Sequence, residues 1–132
     1  MSFDIIIYQA EPVSAEHIAK AWQVIGPATA YDDYVVVDTS EGRLFAHLNN
    51  VLDHPDCLND IDNEELSRIR AIVEPIYNID IQSTEPNLLN EGFLMFPTSG
   101  AVAVDNDNGF IGRREDALEL ARDGTDWLRN KK

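Results

Sequence analysis

One stretch constrains the fold of this chain more than any other: Gly92 to Val104, GFLMFPTSGAVAV. Two apolar runs, Phe93–Phe96 and Ala101–Val104, flank Pro97-Thr98-Ser99-Gly100. Neither run alternates polar with apolar, so as strands both must be buried on both faces. Pro97 fixes its own φ and Gly100 tolerates a positive one. The stretch therefore predicts a hairpin in the middle of a sheet that helices cover.

The flanking sequence supplies the rest of that sheet. Phe3–Gln9 is rich in β-branched and aromatic residues and reads as a central strand. After Pro12, Ser14 is a good N-cap, and Ala15, Ile18, Trp22 and Ile25 follow at helical spacing until Gly26-Pro27. Tyr34–Asp38 and Arg43–Leu48 pair through a turn at Thr39–Gly42, with Leu44, Ala46 and Leu48 on one face and Phe45 and His47 on the other. Asn49–Ile61 reads as a polar loop. Asp62 and Glu65 then make a capping-box-like start for a helix carrying Leu66, Ile69, Val73 and Ile76. The residue before a proline avoids the helical region, so Pro75 ends that helix near Val73 and leaves Ile76–Gln82 as a strand. A helix kinked at Pro75 is the competing reading. Glu85–Glu91 reads as loop, Asp105–Gly109 as a dense turn, and Ala117, Leu118 and Ala121 as the buried side of a last helix closed by Gly124.

The fold class expected is α+β: a largely antiparallel sheet with helices mainly on one face, β-α-β-β-α-β and then a hairpin and a C-terminal helix. Its first six elements match the split βαβ, ferredoxin-like pattern. A chain of 132 residues, 44% hydrophobic, suits a single domain over 1–132. What covers the second face of the sheet is open: loops, a partner or another copy.

Charge narrows the function classes. There are 24 acids against 10 bases, a formal net of −14. Such a surface repels nucleic acid and anionic membranes and attracts basic partners. Between Ala21 and Ser67 the acids are Asp32, Asp33, Asp38, Glu41, Asp53, Asp56, Asp60, Asp62, Glu64 and Glu65, and the one base is Arg43. Between Arg113 and Lys132 five acids meet six bases. An acidic flank and a nearly balanced one are expected. The lone Cys57 excludes an internal disulfide, and MSFDIIIYQ lacks the basic start of a signal peptide, so a reducing, cytoplasmic setting is expected.

Five groups of residues carry candidate chemistry. His54-Pro55-Asp56-Cys57 offers two zinc-ligand types but no second close pair, so a packed loop is the better reading. Asp105 and Asp107 open a calcium-loop pattern that fails at Gly109 and at Asp116, where a Glu belongs. Arg113 and Arg114, at a helix start after Gly112, form an alternative anion site that Glu115 and Asp116 oppose. His47, read as lying beside Asp38 across the hairpin, and His17 are isolated bases without a nucleophile motif. The fifth group is Tyr31-Asp32-Asp33-Tyr34 with Asp53, Asp56, Asp60 and Asp62. Acids interleaved with tyrosines suit recognition of a basic protein surface, the tyrosines giving contact area and the acids steering. No catalytic residue, cofactor or metal is expected.

Size, acidity, the MSFDIIIYQ opening strand and a single α+β domain without catalytic signatures resemble the small immunity proteins of bacterial polymorphic toxin and contact-dependent inhibition systems. The resemblance is one of overall type and brings no residue role with it. It implies a stoichiometric inhibitor of a basic toxin in the cytoplasm. The alternatives are a small enzyme or anion-binding domain using Gly112–Arg114, and a homo-oligomeric accessory subunit that buries the spare sheet face.

Overall fold

The computed structural model describes residues 2–59 and 61–129. It shows the α+β class expected: a seven-stranded, wholly antiparallel sheet in the order β2-β3-β4-β5-β1-β6-β7. The strands are β1 (Phe3–Gln9), β2 (Ala28–Ala30), β3 (Tyr34–Thr39), β4 (Gly42–Asn50), β5 (Tyr77–Ser83), β6 (Val102–Asp105) and β7 (Ile111–Arg113). The helices are α1 (Ala15–Trp22), α2 (Asn63–Arg70), α3 (Pro86–Leu94) and α4 (Arg114–Arg122), with short 3-10 turns at Pro55–Leu58 and Asp126–Leu128. No described helix is long and apolar enough to cross a membrane.

The stretch Gly92–Val104 does not form a hairpin. Phe93 and Leu94 close α3, which also takes up Pro86–Glu91 of the segment read as loop. A short apolar run does not distinguish a buried strand from a buried helix, and here the helix wins. Pro86 starts it at a position that needs no N–H, and Leu88, Leu89 and Phe93 turn inward together. Gly92 sits mid-helix because the helix lies against β4: a Cβ there would come within 2.7 Å of a Leu44 methyl. Its carbonyl accepts a hydrogen bond from Trp22 Nε1 at 2.9 Å. Val102–Val104 of the second run, with Asp105, form the strand β6, buried throughout, and its hairpin partner is β7. The connecting turn is the DNDNG sequence, with Asp107 and Gly109 both at positive φ.

The ferredoxin-like order is also not adopted. In that pattern β1 would lie between β4 and β5, antiparallel to both. Instead β5 stands between β1 and β4, antiparallel to both, and β1 pairs with β6 on its other side. The sequence Tyr77–Ser83 is a strand rather than the end of a kinked helix, and α2 stops at Arg70, before Val73. β4 runs on to Asn50, two residues into the expected polar loop, and the edge strand β2 had no pattern of its own.

Odd-numbered residues of β1 and β5, with Leu44 and Ala46 of β4, face the main core, where α1, α3 and α4 pack. Ser14 caps α1 by accepting from His17 N, and Asp62 caps α2 by accepting from Glu65 N. α2 lies on the opposite face. Its Ile69 meets Tyr8, Ala103 and Ile111 in a second, smaller cluster. This helix and the segment leading to it cover the β1-β6-β7 side of that face and reach Asn78 of β5. The part that carries Tyr34, Phe45, His47 and Gln82 has no described helix over it and forms an open trough.

Candidate functional site

The register lays out this second face row by row. Tyr34, His47, Asp80, Ile6, Asp105 and Ile111 stand opposite one another across six strands. A second row is Val36, Phe45, Gln82 and Asp4, and a third is Asn49, Asn78, Tyr8, Ala103 and Arg113. The strand-borne acids of this face are Asp4, Asp38, Asp80 and Asp105. Asp38 is held by Arg43 at 2.7 Å, and Arg113 stands at the far edge strand.

The open half is a shallow trough of about 480 Å³ lined by Tyr34, Phe45, His47, Asp80 and Gln82. Tyr34 stacks on Tyr31, their ring centres 4.5 Å apart, and Tyr31 is 48% exposed. The tyrosines flank the β2–β3 turn, so the YDDY sequence places an aromatic ledge beside two carboxylates. Asp33 lies 3.4 Å from His47 Nε2. His47 therefore stands opposite Tyr34 and near Asp33, whereas Asp38 faces Arg43. Asp32 and Asp33 also line a groove of about 260 Å³ together with Asp53 and His54. The fold thus brings together part of the predicted acidic set. Asp56 lies in the 3-10 turn, Asp62 is spent capping α2, and Asp60 lies outside the described residues.

The covered half holds a cleft of about 320 Å³ between the sheet and the segment around Cys57, Ile61 and Glu65. Its floor carries Ile6, Tyr8, Asn78, Asp80 and Asp105, with Asp107 at the rim. Burial holds the Asp80 carboxyl up to about 6, and Asp4 nearby adds to the shift while Gln82, bonded at 3.0 Å, opposes it. Asp105 is likewise raised to about 6, by burial first, against the hydrogen bond that its Oδ1 accepts from Asp107 N. Tyr8 is pushed well above its ordinary value by burial and then by the surrounding carboxylates. Oδ1 of Asp80 and Oδ1 of Asn78 are buried and accept no hydrogen bond from the described residues. The alternation N-I-D-I-Q in β5 was the sequence signal for this floor. Apolar residues on both sides of a period-two pattern mark Asn78, Asp80 and Gln82 as one face.

The other candidates are placed differently. Cys57 accepts a long contact of 3.6 Å from Asn78 Nδ2, and burial raises its thiol, with Asp56 adding to this. Asp105 and Asn106 turn their oxygens to backbone N–H groups of Asp107, Asn108 and Phe110, closing the hairpin on itself. Among the described residues, no three of His, Cys, Asp and Glu stand close enough together to hold a metal ion. Arg114 donates to Thr98 Oγ1 and lies 3.9 Å from Glu115, while Arg113 is exposed before α4. In comparisons with known proteins, no family, no curated protein and no solved structure matches this chain.

Proposed function

We propose that this chain is a non-catalytic binding protein that docks a basic protein on the open half of its second sheet face, and that it acts as an immunity protein, neutralising a basic toxin by stoichiometric binding in the cytoplasm. The observation that carries this reading is the uncovered trough itself. An aromatic ledge of Tyr31, Tyr34 and Phe45 lies beside Asp33 and Asp80, and Asp32 and Asp53 line a separate groove that shares Asp33. Exposed aromatics bordered by carboxylates provide contact area and steering together.

Net charge favours a basic occupant over a second copy. At −14 each, two chains repel one another, and joining these faces would press like charges together. The test is co-purification of the full chain from its native host. A single basic protein at equal stoichiometry is expected, lost on combined Asp32→Lys, Asp33→Lys and Asp53→Lys substitution and released by high salt. Binding untouched by that triple reversal contradicts the acidic-face reading. A homodimer in light scattering would favour the accessory-subunit alternative.

A further inference from the structure

We infer that the cleft between β5, β1, β6 and the residues Cys57, Ile61 and Glu65 is a receptor for a single guanidinium group, the arginine side chain of the basic partner, gripped between Asp80 and Asp105 over Ile6. The source of that arginine rests on the docking reading above; the pocket does not. Asp80 and Asp105 stand on either side of Ile6 in one row, two strand spacings or roughly 10 Å apart at their backbones. Their side chains rise from the same face into a cleft of about 320 Å³, large enough for a planar cation and part of its stem.

A second observation points to a donor-rich ligand. Asn78 is only 6% exposed and lines this cleft, and among the described residues its Oδ1 accepts no hydrogen bond; nor does the buried Oδ1 of Asp80 two residues on. Buried acceptors left without donors are costly, and a ligand that donates to both removes that cost. The acceptors are spread along β5 and across to β6. A guanidinium presents five N–H donors in a rigid plane and reaches several such points, whereas an ammonium is a compact point charge. A bare metal ion is disfavoured by the same spread, since no three acidic, His or Cys ligands among the described residues converge. Ile6 and Tyr8 supply an apolar floor against which the weakly hydrated guanidinium plane can lie.

The groups facing Asp80 and Asp105 are Asp4 and Tyr8 of β1, His47 of β4, Glu65 and Arg68 of α2, and Asp107 of the β6–β7 turn. Arg68 is engaged elsewhere, donating to the Ile111 carbonyl at 3.1 Å. The balance is acidic, and both floor carboxylates are ionised at neutral pH and protonate near pH 6. Binding should therefore fade as the pH falls from 7 to 5.

The test titrates N-acetyl-arginine amide into the full-length chain at neutral pH and follows backbone amide shifts. Saturable shifts at Asn78, Asp80 and Asp105 are expected, with at least tenfold weaker binding in an Asp80→Asn, Asp105→Asn double variant and at pH 5. N-acetyl-citrulline amide, uncharged and nearly the same shape, should produce none on the unmodified chain. Equal shifts from the two probes, no saturable shift, or undiminished binding by a folded double variant would overturn the site. Equal affinity for N-acetyl-lysine amide would overturn the guanidinium assignment, and free arginine binding tenfold tighter than the capped form would overturn its assignment to a partner's side chain. A chain that binds the arginine probe but no basic protein keeps the pocket and loses the docking reading. The converse keeps the docking reading and loses the pocket.

Discussion

Asp80 and Asp105 show how a single position can be placed against stability. Each carboxyl is raised in the folded chain to about 6, well above its ordinary value, chiefly because burial penalises the charge. The folded state then holds protons that the unfolded state has released between about pH 4 and 6. The stability these groups contribute is full below the unfolded pKa and is lost as pH rises through the folded one. The chain should be more resistant to urea at pH 5 than at pH 7. The Asp80→Asn, Asp105→Asn variant should be stabilised at pH 7, by about 1–2 kcal/mol per site after allowing for partial solvent screening, and its profile should be flatter. An unfolding midpoint that does not move with pH in the unmodified chain contradicts this. Asp62 contributes through a cap rather than through burial. The sequence offers it both as a helix cap and as part of the acidic binding set, and its Oδ1 accepts from Glu65 N at 2.8 Å. Asp62→Ala should cost about 1 kcal/mol of stability by the lost cap, measurable by chemical denaturation, with partner affinity little changed.

Among the elements, α3 was the one least legible in the sequence and the one that ties the main core together. Asn90 on its inner side accepts from Trp127 Nε1 at 2.8 Å and donates to the Ala121 carbonyl at 2.8 Å, joining α3 to α4 and the C-terminal turn. Asn90→Ala should cost about 2–3 kcal/mol, because two buried partners are left unsatisfied. Gly92→Ala should also destabilise, by about 1–2 kcal/mol: the clash with Leu44 exceeds the gain in helix propensity. Thermal unfolding of both variants checks these values. Local rules made α1, β3, β4 and the start of α2 readable, since Ser14, the alternation after Arg43 and Asp62 each act within a few residues. Leu88–Phe96 lacked such a rule. Its apolar residues fit a buried strand or a buried helix equally well, and the choice was made by β4 and Trp22, far away in sequence. The strand order was hidden for the same reason: nothing local to Phe3–Gln9 says that β5 and β6 will be its neighbours. The acid-lined cleft needed that order too, because Asp80 and Asp105 become neighbours of Ile6 only once three distant strands are in register.

For the molecule as a whole, the central claim is that the half-covered second sheet face is where a basic protein docks. Three helices pack on one side of the sheet, whereas α2 packs on part of the other. Long-range attraction from a net charge of −14 should speed association, and salt should slow it. The association rate is expected to fall about tenfold or more between roughly 0.05 and 0.5 M salt, with dissociation changing less. Stopped-flow mixing with the co-purified partner measures this, and a rate indifferent to salt contradicts electrostatic steering. The most direct measurement locates the contact itself. A photo-reactive phenylalanine analogue placed at Phe45, in the trough, is compared in the native host with one at Glu119, on the exposed side of α4. The account predicts one basic protein cross-linked from position 45 and none from position 119. Cross-linking from 119 alone, or a captured protein that is itself acidic, would contradict it.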